Sequence, residues 1–132
     1  MNAIKDRARV EMREIEQLRE QSDAVDYCET HYPVMCNEFK RIMADQYELF
    51  CRKQKNYGPG NISVGTSLQT PDDVKLSLTG LWFRVNDKVQ RLKQLIVLGH
   101  CDEVGESETD TFQDLSIYGI IAQLVANGKW AK

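Results

Sequence analysis

Hydrophobic residues recur at three- and four-residue spacing along most of this chain, which is the period of amphipathic α-helices. The pattern predicts four helices, at about residues 3–21, 34–53, 70–98 and 107–127. The third has the clearest signals, because Thr70-Pro71 is a typical helix start and Gly99 a typical end. The chain is therefore predicted to be all-α, a four-to-five-helix antiparallel bundle with a glycine-rich loop between the second and third helices.

The first predicted helix differs from the others in having a thin apolar stripe among alternating glutamates and arginines. Such a stripe needs a partner surface, and either this chain's own core or a second copy of it would serve. Over residues 23–33 the helical pattern lapses, and His31-Tyr32-Pro33 biases the backbone away from helix. We therefore divide the chain into a charged leader helix and linker over residues 1–33, with a role in oligomerisation, and a helical domain over residues 34–132.

Residues 58–70 separate the second and third predicted helices and contain three glycines and alternating small polar residues. They are predicted to form a loop, with a short extended piece at residues 62–64. This loop is also the element expected to be most mobile.

Composition excludes several classes of function. The chain has 132 residues and a formal net charge of −3, so it has no global positive field for general nucleic-acid binding. Its longest strongly apolar run, residues 95–98, is far too short to cross a membrane, and its charged N-terminus has no signal region. The cysteines do not match the spacing of a common zinc module, which predicts reduced thiols. These features predict a soluble, cytoplasmic protein.

Two groups of residues suggest that the chain binds a phosphorylated, base-bearing ligand. Around the glycine-rich turn, Lys55 offers a cation, Tyr57 a ring that can stack, and Asn61 an amide. Along one side of the third helix lie Arg84, Lys88 and Arg91, beside the apolar ridge. Cations in that position can reach into a cleft between helices and bind phosphate; alternatively, they pair with acids on a neighbouring helix.

Acidic residues provide a candidate metal site. Glu106, Asp110 and Asp114 recur every four residues along the last helix, where their mutual repulsion would be relieved by Mg²⁺. Alternatively, the first acids only cap the helix, but Asp114 lies beyond the capping turn. On the second helix, Asp45 and Glu48 would complete the metal site, or else they are ordinary solvated acids.

The order and spacing of these residues resemble the nucleotide modification associated domain 1 family, small helical proteins of bacteriophages and some bacteria. The resemblance covers about residues 39–124. It is carried by three segments: Lys55-x-Tyr57-Gly58-x-x-Asn61, Arg84-x-x-x-Lys88-x-x-Arg91-x-x-x-Leu95, and Glu106-x-x-x-Asp110-x-x-x-Asp114-Leu115-x-x-Tyr118. It implies a part in nucleotide or modified-base metabolism and, for a phage protein, residence in the host cytoplasm.

The helical layout is also similar to that of MazG-like and dimeric dUTPase-like nucleoside triphosphate pyrophosphatases. Those enzymes hold magnesium with Glu-x-x-Glu and Glu-x-x-Asp pairs, and a metal-activated water attacks the phosphate chain. This chain departs from that pattern, because it offers Asp110-x-x-x-Asp114 and Asp45-x-x-Glu48 instead.

Three functional hypotheses stay open. The first is a magnesium-dependent nucleotide (pyro)phosphohydrolase with Asp110, Asp114 and Glu48 as catalytic residues and Glu106, Asp110 and Asp114 as metal ligands. The second is a non-catalytic protein that binds or sequesters a nucleotide or nucleotide signal, and the third is a helical assembly protein without a ligand. The first two share one set of candidate substrate-binding residues, and a homo-oligomer is expected. That set is Lys55, Tyr57, Asn61, Arg84, Lys88, Arg91 and Tyr118.

Overall fold

The structure, a computed structural model, describes residues 2–20 and 23–132. These residues form six α-helices and no strand, so the predicted all-α class is confirmed. No helix in the described ranges is both long and apolar enough to span a membrane. The helices are α1 (Asn2–Glu20), α2 (Asp23–His31), α3 (Pro33–Tyr57), α4 (Gly60–Ser63), α5 (Pro71–Leu92), which continues into a π-helical segment (Lys93–Val97), and α6 (Glu108–Ala126).

The chain divides into two compact units, Met1–Ala44 and Asp45–Lys132. The first contains α1, α2 and the start of α3. None of its described side chains is buried. The second contains the rest of α3 and all later elements, and it holds the hydrophobic core.

In the first unit, the predicted linker over residues 23–33 is wrong, because α2 occupies most of it. Asp23 and Asp26 lie in the first turn of α2 and His31 in its last, which is the distribution that the helix dipole favours. The helix ends before Pro33, whose ring disfavours a helical conformation at Tyr32. α2 has nine residues, and none of them is buried.

The second unit is built around α5 and α6, which pack against each other, with α4 against α5. Two hydrogen bonds from buried side chains fix the connection between α3 and α5. Ser77 Oγ donates to the carbonyl of Ile62 (2.6 Å), and Trp130 Nε1 donates to the carbonyl of Pro59 (3.1 Å). The buried hydrophobic residues are Ile62, Leu81, Ile117, Ile121, Val125 and Trp130.

Two predictions around the glycine-rich connection are corrected. α3 runs four residues past its predicted end and stops at Tyr57, because Gly58 (φ +70°) adopts the left-handed conformation of a helix C-cap. The predicted extended piece at residues 62–64 is wrong, since Gly60–Ser63 is a helical turn that ends at Val64 (φ +54°). Ile62 is buried at 3% exposure, and an isolated buried apolar residue in a short turn has the same local pattern as a strand.

The predicted starts of the two main helices are confirmed. Thr70 Oγ1 accepts a hydrogen bond from the backbone N–H of Asp73 (3.1 Å), with Pro71 at the first position of α5. Ser107 Oγ accepts from the N–H of Asp110 (3.0 Å) at the start of α6. These caps satisfy amide groups that have no partner within the helix. The four cysteines, Cys28, Cys36, Cys51 and Cys101, are free thiols.

Candidate functional site

A cleft of about 260 Å³ lies in the second unit, with walls from α3, α4, α5 and α6. Its volume is just below the range of about 300–1,000 Å³ that is common for small-molecule sites. The lining combines two cations, a carboxylate, two phenol rings and two amides with an apolar floor. These residues are Lys53, Arg84, Asp114, Tyr57, Tyr118, Gln54, Asn61, Phe50, Ile62, Ile117 and Ile121.

The two cations of the lining are held differently. Arg84 is anchored, because its Nη2 donates to the backbone carbonyl of Asn61 (3.1 Å), which joins α5 to α4. Lys53 is held loosely: its Nζ lies 3.5 Å from Asp114 Oδ1, and its side chain is 41% exposed. Of the two cations, Lys53 is therefore the one whose side chain is held by the longer and more exposed contact.

Asp114 joins the cleft to a network of charges along α5 and α6. Lys88 Nζ lies 2.9 Å from Asp114 Oδ2 and 2.9 Å from Glu106 Oε1. The hydrogen bond to Glu106, and after it the one to Asp114, raises the pKa of Lys88 above its ordinary value. Lys88 is therefore charged at neutral pH, and its single charge offsets half of the formal charge of the two carboxylates.

Arg91 anchors the segment between the π-helical turns and α6. Its Nη2 lies 3.1 Å from Asp102 Oδ1 and also donates to the carbonyl of Glu106, while its Nε donates to Thr111 Oγ1 (3.2 Å). The pKa of Asp102 is lowered, first by a hydrogen bond from the backbone N–H of Val104 and then by Arg91. Arg91 is not part of the cleft lining, so its contacts hold the fold together at this point.

The structure brings together only part of the predicted set. Tyr57, Asn61, Arg84, Asp114 and Tyr118 all line the cleft, and Lys88 reaches it through Asp114. The remaining predicted residues lie elsewhere in the second unit. These are the exposed Lys55, Asp45, Glu48 and Asp110, together with Arg91 and Glu106, which lie in the network at the start of α6.

The predicted metal ligands do not converge on a common point. Among the residues that the structure describes, no three His, Cys, Asp or Glu side chains are placed to share an ion. Glu106 and Asp114 meet on the ammonium of Lys88, while Asp110 lies exposed in the first turn of α6. Glu106 and Asp114 thus contact a cationic side chain here, and the magnesium site stays a prediction.

The interpretation of the sequence missed two polar residues of the cleft, Lys53 and Gln54. In a helix that continues to Tyr57, residues 50, 53, 54 and 57 lie on one face and Lys55 does not. The spacing of residues 53, 54 and 57 therefore indicates a shared face, but only if the predicted helix extends to Tyr57 and does not end at residue 53. Gln54 Oε1 is buried and has no hydrogen-bond partner among the described residues, which is unusual for a buried acceptor.

Comparison with known proteins gives no family: no protein-family model, no curated protein and no solved structure matches this chain. The resemblance to the nucleotide modification associated domain 1 family therefore stays a prediction. Its three segments all contribute to the second unit, and each supplies at least one residue of the cleft. Those residues are Tyr57 and Asn61 from the first segment, Arg84 from the second, and Asp114 and Tyr118 from the third.

Proposed function

We propose that the second unit binds a small phosphorylated ligand with an aromatic base, that is a nucleotide, in the cleft between α3 and α6, and that it acts as a binding protein. The observation that carries this proposal is the composition of the cleft wall. Lys53 and Arg84 supply charge for a phosphate, and Tyr57 and Tyr118 supply rings for a base. Polar recognition of the base or sugar falls to the amides of Gln54 and Asn61.

The arrangement of charges supports anion binding without a large rearrangement. Lys53 is 3.5 Å from Asp114, whereas Lys88 is 2.9 Å from the same carboxylate. Lys53 can turn toward a phosphate while Lys88 continues to neutralise Asp114. The cost of breaking an ion pair is then small, since the released partner keeps a cation beside it.

Binding is favoured over catalysis by the state of the single carboxylate in the cleft. Asp114 lies between two lysines, so its negative charge is already compensated. A general base or a metal ligand needs an available carboxylate. Recognition of an anionic ligand needs only the cations and rings that the cleft supplies.

The test is a thermal-shift and calorimetric screen of the purified chain against ribo- and deoxynucleoside mono-, di- and triphosphates, with and without magnesium. A ligand present at about 100 times its Kd raises stability by roughly 2.7 kcal/mol, which shifts the melting temperature measurably. Nucleosides and inorganic phosphate serve as separate probes for the rings and for the cations. We expect both to bind more weakly than the nucleotide.

A matched pair of variants assigns the site. Lys53→Gln removes the cleft cation and should weaken nucleotide binding about tenfold or more, since a hydrogen bond to a charged group contributes about 1.5–3 kcal/mol. Lys55→Gln removes an exposed cation two residues away, outside the cleft, and should leave the Kd within about twofold. Equal losses in both variants, or no binding of any nucleotide, would contradict the proposal. Consumption of a bound nucleotide in the presence of magnesium would instead support the hydrolase hypothesis.

A further inference from the structure

The described residues of the first unit, 2–20 and 23–44, lie almost entirely in helices, and none of their described side chains is buried. Twelve large hydrophobic side chains in the described part of this unit are exposed, and none is buried. A short helix draws most of its stability from packing an apolar face, so exposed faces of this extent indicate a binding surface. The twelve are Ile4, Val10, Met12, Ile15, Val25, Tyr27, Tyr32, Val34, Met35, Phe39, Ile42 and Met43.

The extent of this apolar surface is what a dimer interface requires. These twelve side chains, each about half exposed, carry roughly 1,000 Å² of largely apolar surface. A standard interface buries about 800 Å² on each partner, of which somewhat more than half is apolar. The unit therefore has more than enough apolar surface for one stable interface, and about a third of that surface lies on α1.

The charges of α1 identify the occupant. Residues 2–9 carry three cations (Lys5, Arg7 and Arg9) and one acid, and residues 10–16 carry three acids and one cation (Arg13). The first half of α1 therefore has a net charge of +2 and the second half −2. A second α1 that runs in the opposite direction would place each half against its opposite, whereas a parallel one would place like charges together.

The borders of the apolar stripe show the same complementarity. Ile4, Met12 and Ile15 lie on one face of α1 and are 77%, 56% and 44% exposed. By helical spacing, one border of this stripe carries Lys5 and Glu16, and the other carries Arg7 and Glu11. In an antiparallel pair of helices centred near residue 10, each border lies against the same border of the second copy. Lys5 then lies near Glu16 of the second copy, and Arg7 lies near its Glu11.

We infer that the chain forms a two-fold dimer in which α1 packs antiparallel against α1 of a second copy. A two-fold interface is self-complementary, which is the property that the opposite charges of the two halves of α1 provide. Opposed helix dipoles add to the attraction. This inference concerns the first unit only, and it is independent of nucleotide binding in the second.

Charge-exchange variants of the full chain, followed by sedimentation equilibrium, test the dimer and its direction. The unmodified chain of 15.2 kDa should sediment with twice that mass. Glu11→Lys with Glu16→Lys makes both halves of α1 positive and should weaken association about tenfold or more. Adding Lys5→Glu and Arg7→Glu to that variant exchanges the two ends and should restore the dimer, because the halves are again opposite.

Two controls separate the interface from general charge and from folding. Asp6→Lys changes a charge on the far side of α1, and it should leave the dimer intact at 0.15 M salt, where the Debye length is about 8 Å. Circular dichroism should show unchanged helicity in the variants at concentrations where all are monomeric. In addition, Met12→Asp should give a monomer, since it places a charge in the stripe.

Three results would overturn the inference. If the unmodified chain is monomeric at high concentration, it forms no dimer. A dimer that Glu11→Lys with Glu16→Lys does not weaken would place the interface elsewhere or make α1 parallel. Failure of the four-residue exchange to restore association, with normal helicity, would show that charge order along α1 does not matter.

Discussion

The helix α1 of the first unit and the helix α5 of the second are similar in length and in period, yet their surroundings differ. α5 begins with a hydrogen-bonded cap and buries Ser77 and Leu81. α1 has exposed side chains at every position for which burial is described. Amphipathic spacing therefore determines where a helix forms, whereas what covers its apolar face depends on contacts distant in sequence.

The same difference explains why the cleft belongs to the second unit. Its polar residues project from helices that also pack into the core. On α3, for example, the ring of Phe50 packs edge-on against Trp130 at a centroid distance of 6.0 Å. Side chains on such a base keep their relative positions, which a binding site requires. In the first unit, ion pairs connect exposed side chains, as between Lys40 and Glu29.

The largest effect is expected for a pair of valine variants, one in each unit. Val125 is 1% exposed within the core and Val34 is 81% exposed on α3. Val125→Ala should lower the free energy of unfolding by about 2–3 kcal/mol, because it removes two buried methyl groups and leaves a cavity. Val34→Ala should change it by less than about 0.5 kcal/mol. Urea denaturation of both variants measures the difference.

The valine pair also checks the division into units. A large loss for Val34→Ala would mean that the start of α3 is packed in solution, and the contrast between the two regions would fail. A small loss for Val125→Ala would mean that the core at the end of α6 is loose. A variant that shifts the urea midpoint without changing the dependence of the unfolding free energy on urea concentration has changed in stability. A change in that dependence indicates a change in the unfolded state.

A smaller effect is expected for a pair of lysine variants. Lys88→Met leaves Asp114 and Glu106 without the cation between them, and their side chains are only 19% and 32% exposed. We expect a loss of about 1–2 kcal/mol, between the values for exposed and buried pairs. Lys40→Met breaks the exposed pair with Glu29 and should have no measurable effect. A loss for Lys40→Met as large as that for Lys88→Met would contradict the contrast.

Much of the second unit was predictable because its signals are local. Thr70 and Ser107 mark helix starts through hydrogen bonds that span three residues, and the structure forms those bonds. The sequence also identified the cations of α5 and the acids at the start of α6 as candidate site residues. What the sequence does not contain is the partner of each charge, since Lys88 has Asp114 as its neighbour only after two helices pack.

The errors have physical causes of the same kind. α2 was not predicted because it has only nine residues and ends beside Pro33, which disfavours helix at the residue before it. A helix that ends at residue 53 does not show that Lys53 shares a face with Tyr57, so the prediction named Lys55, which does not line the cleft. The buried position of Ile62 depends on contact with α5, so a three-residue pattern could not reveal it.

The smallest expected effect is a pH dependence that again separates the two regions. Asp102 accepts hydrogen bonds from the N–H of Val104 (3.1 Å) and from Arg91 (3.1 Å), and these lower its pKa. A carboxyl group with a lowered pKa contributes its stability above its ordinary pKa of about 3.9 and loses it as the pH falls through the lower, folded value. The stability difference between the unmodified chain and Asp102→Asn should therefore be constant from pH 7 to about 5 and should shrink below about 4.

Glu38 in the first unit is the control for this prediction. Its pKa is also lowered, by the hydrogen bond from Arg41, but that pair lies within a single turn of α3. Asp102, by contrast, ties a loop to a helix eleven residues earlier, so its protonation releases a connection that α3 does not have. Glu38→Gln should show the smaller acid-dependent difference in unfolding free energy across the same pH series. If it shows the larger one, the contacts of Arg91 do not hold the loop, and the network beside the cleft is as superficial as the ion pairs of the first unit.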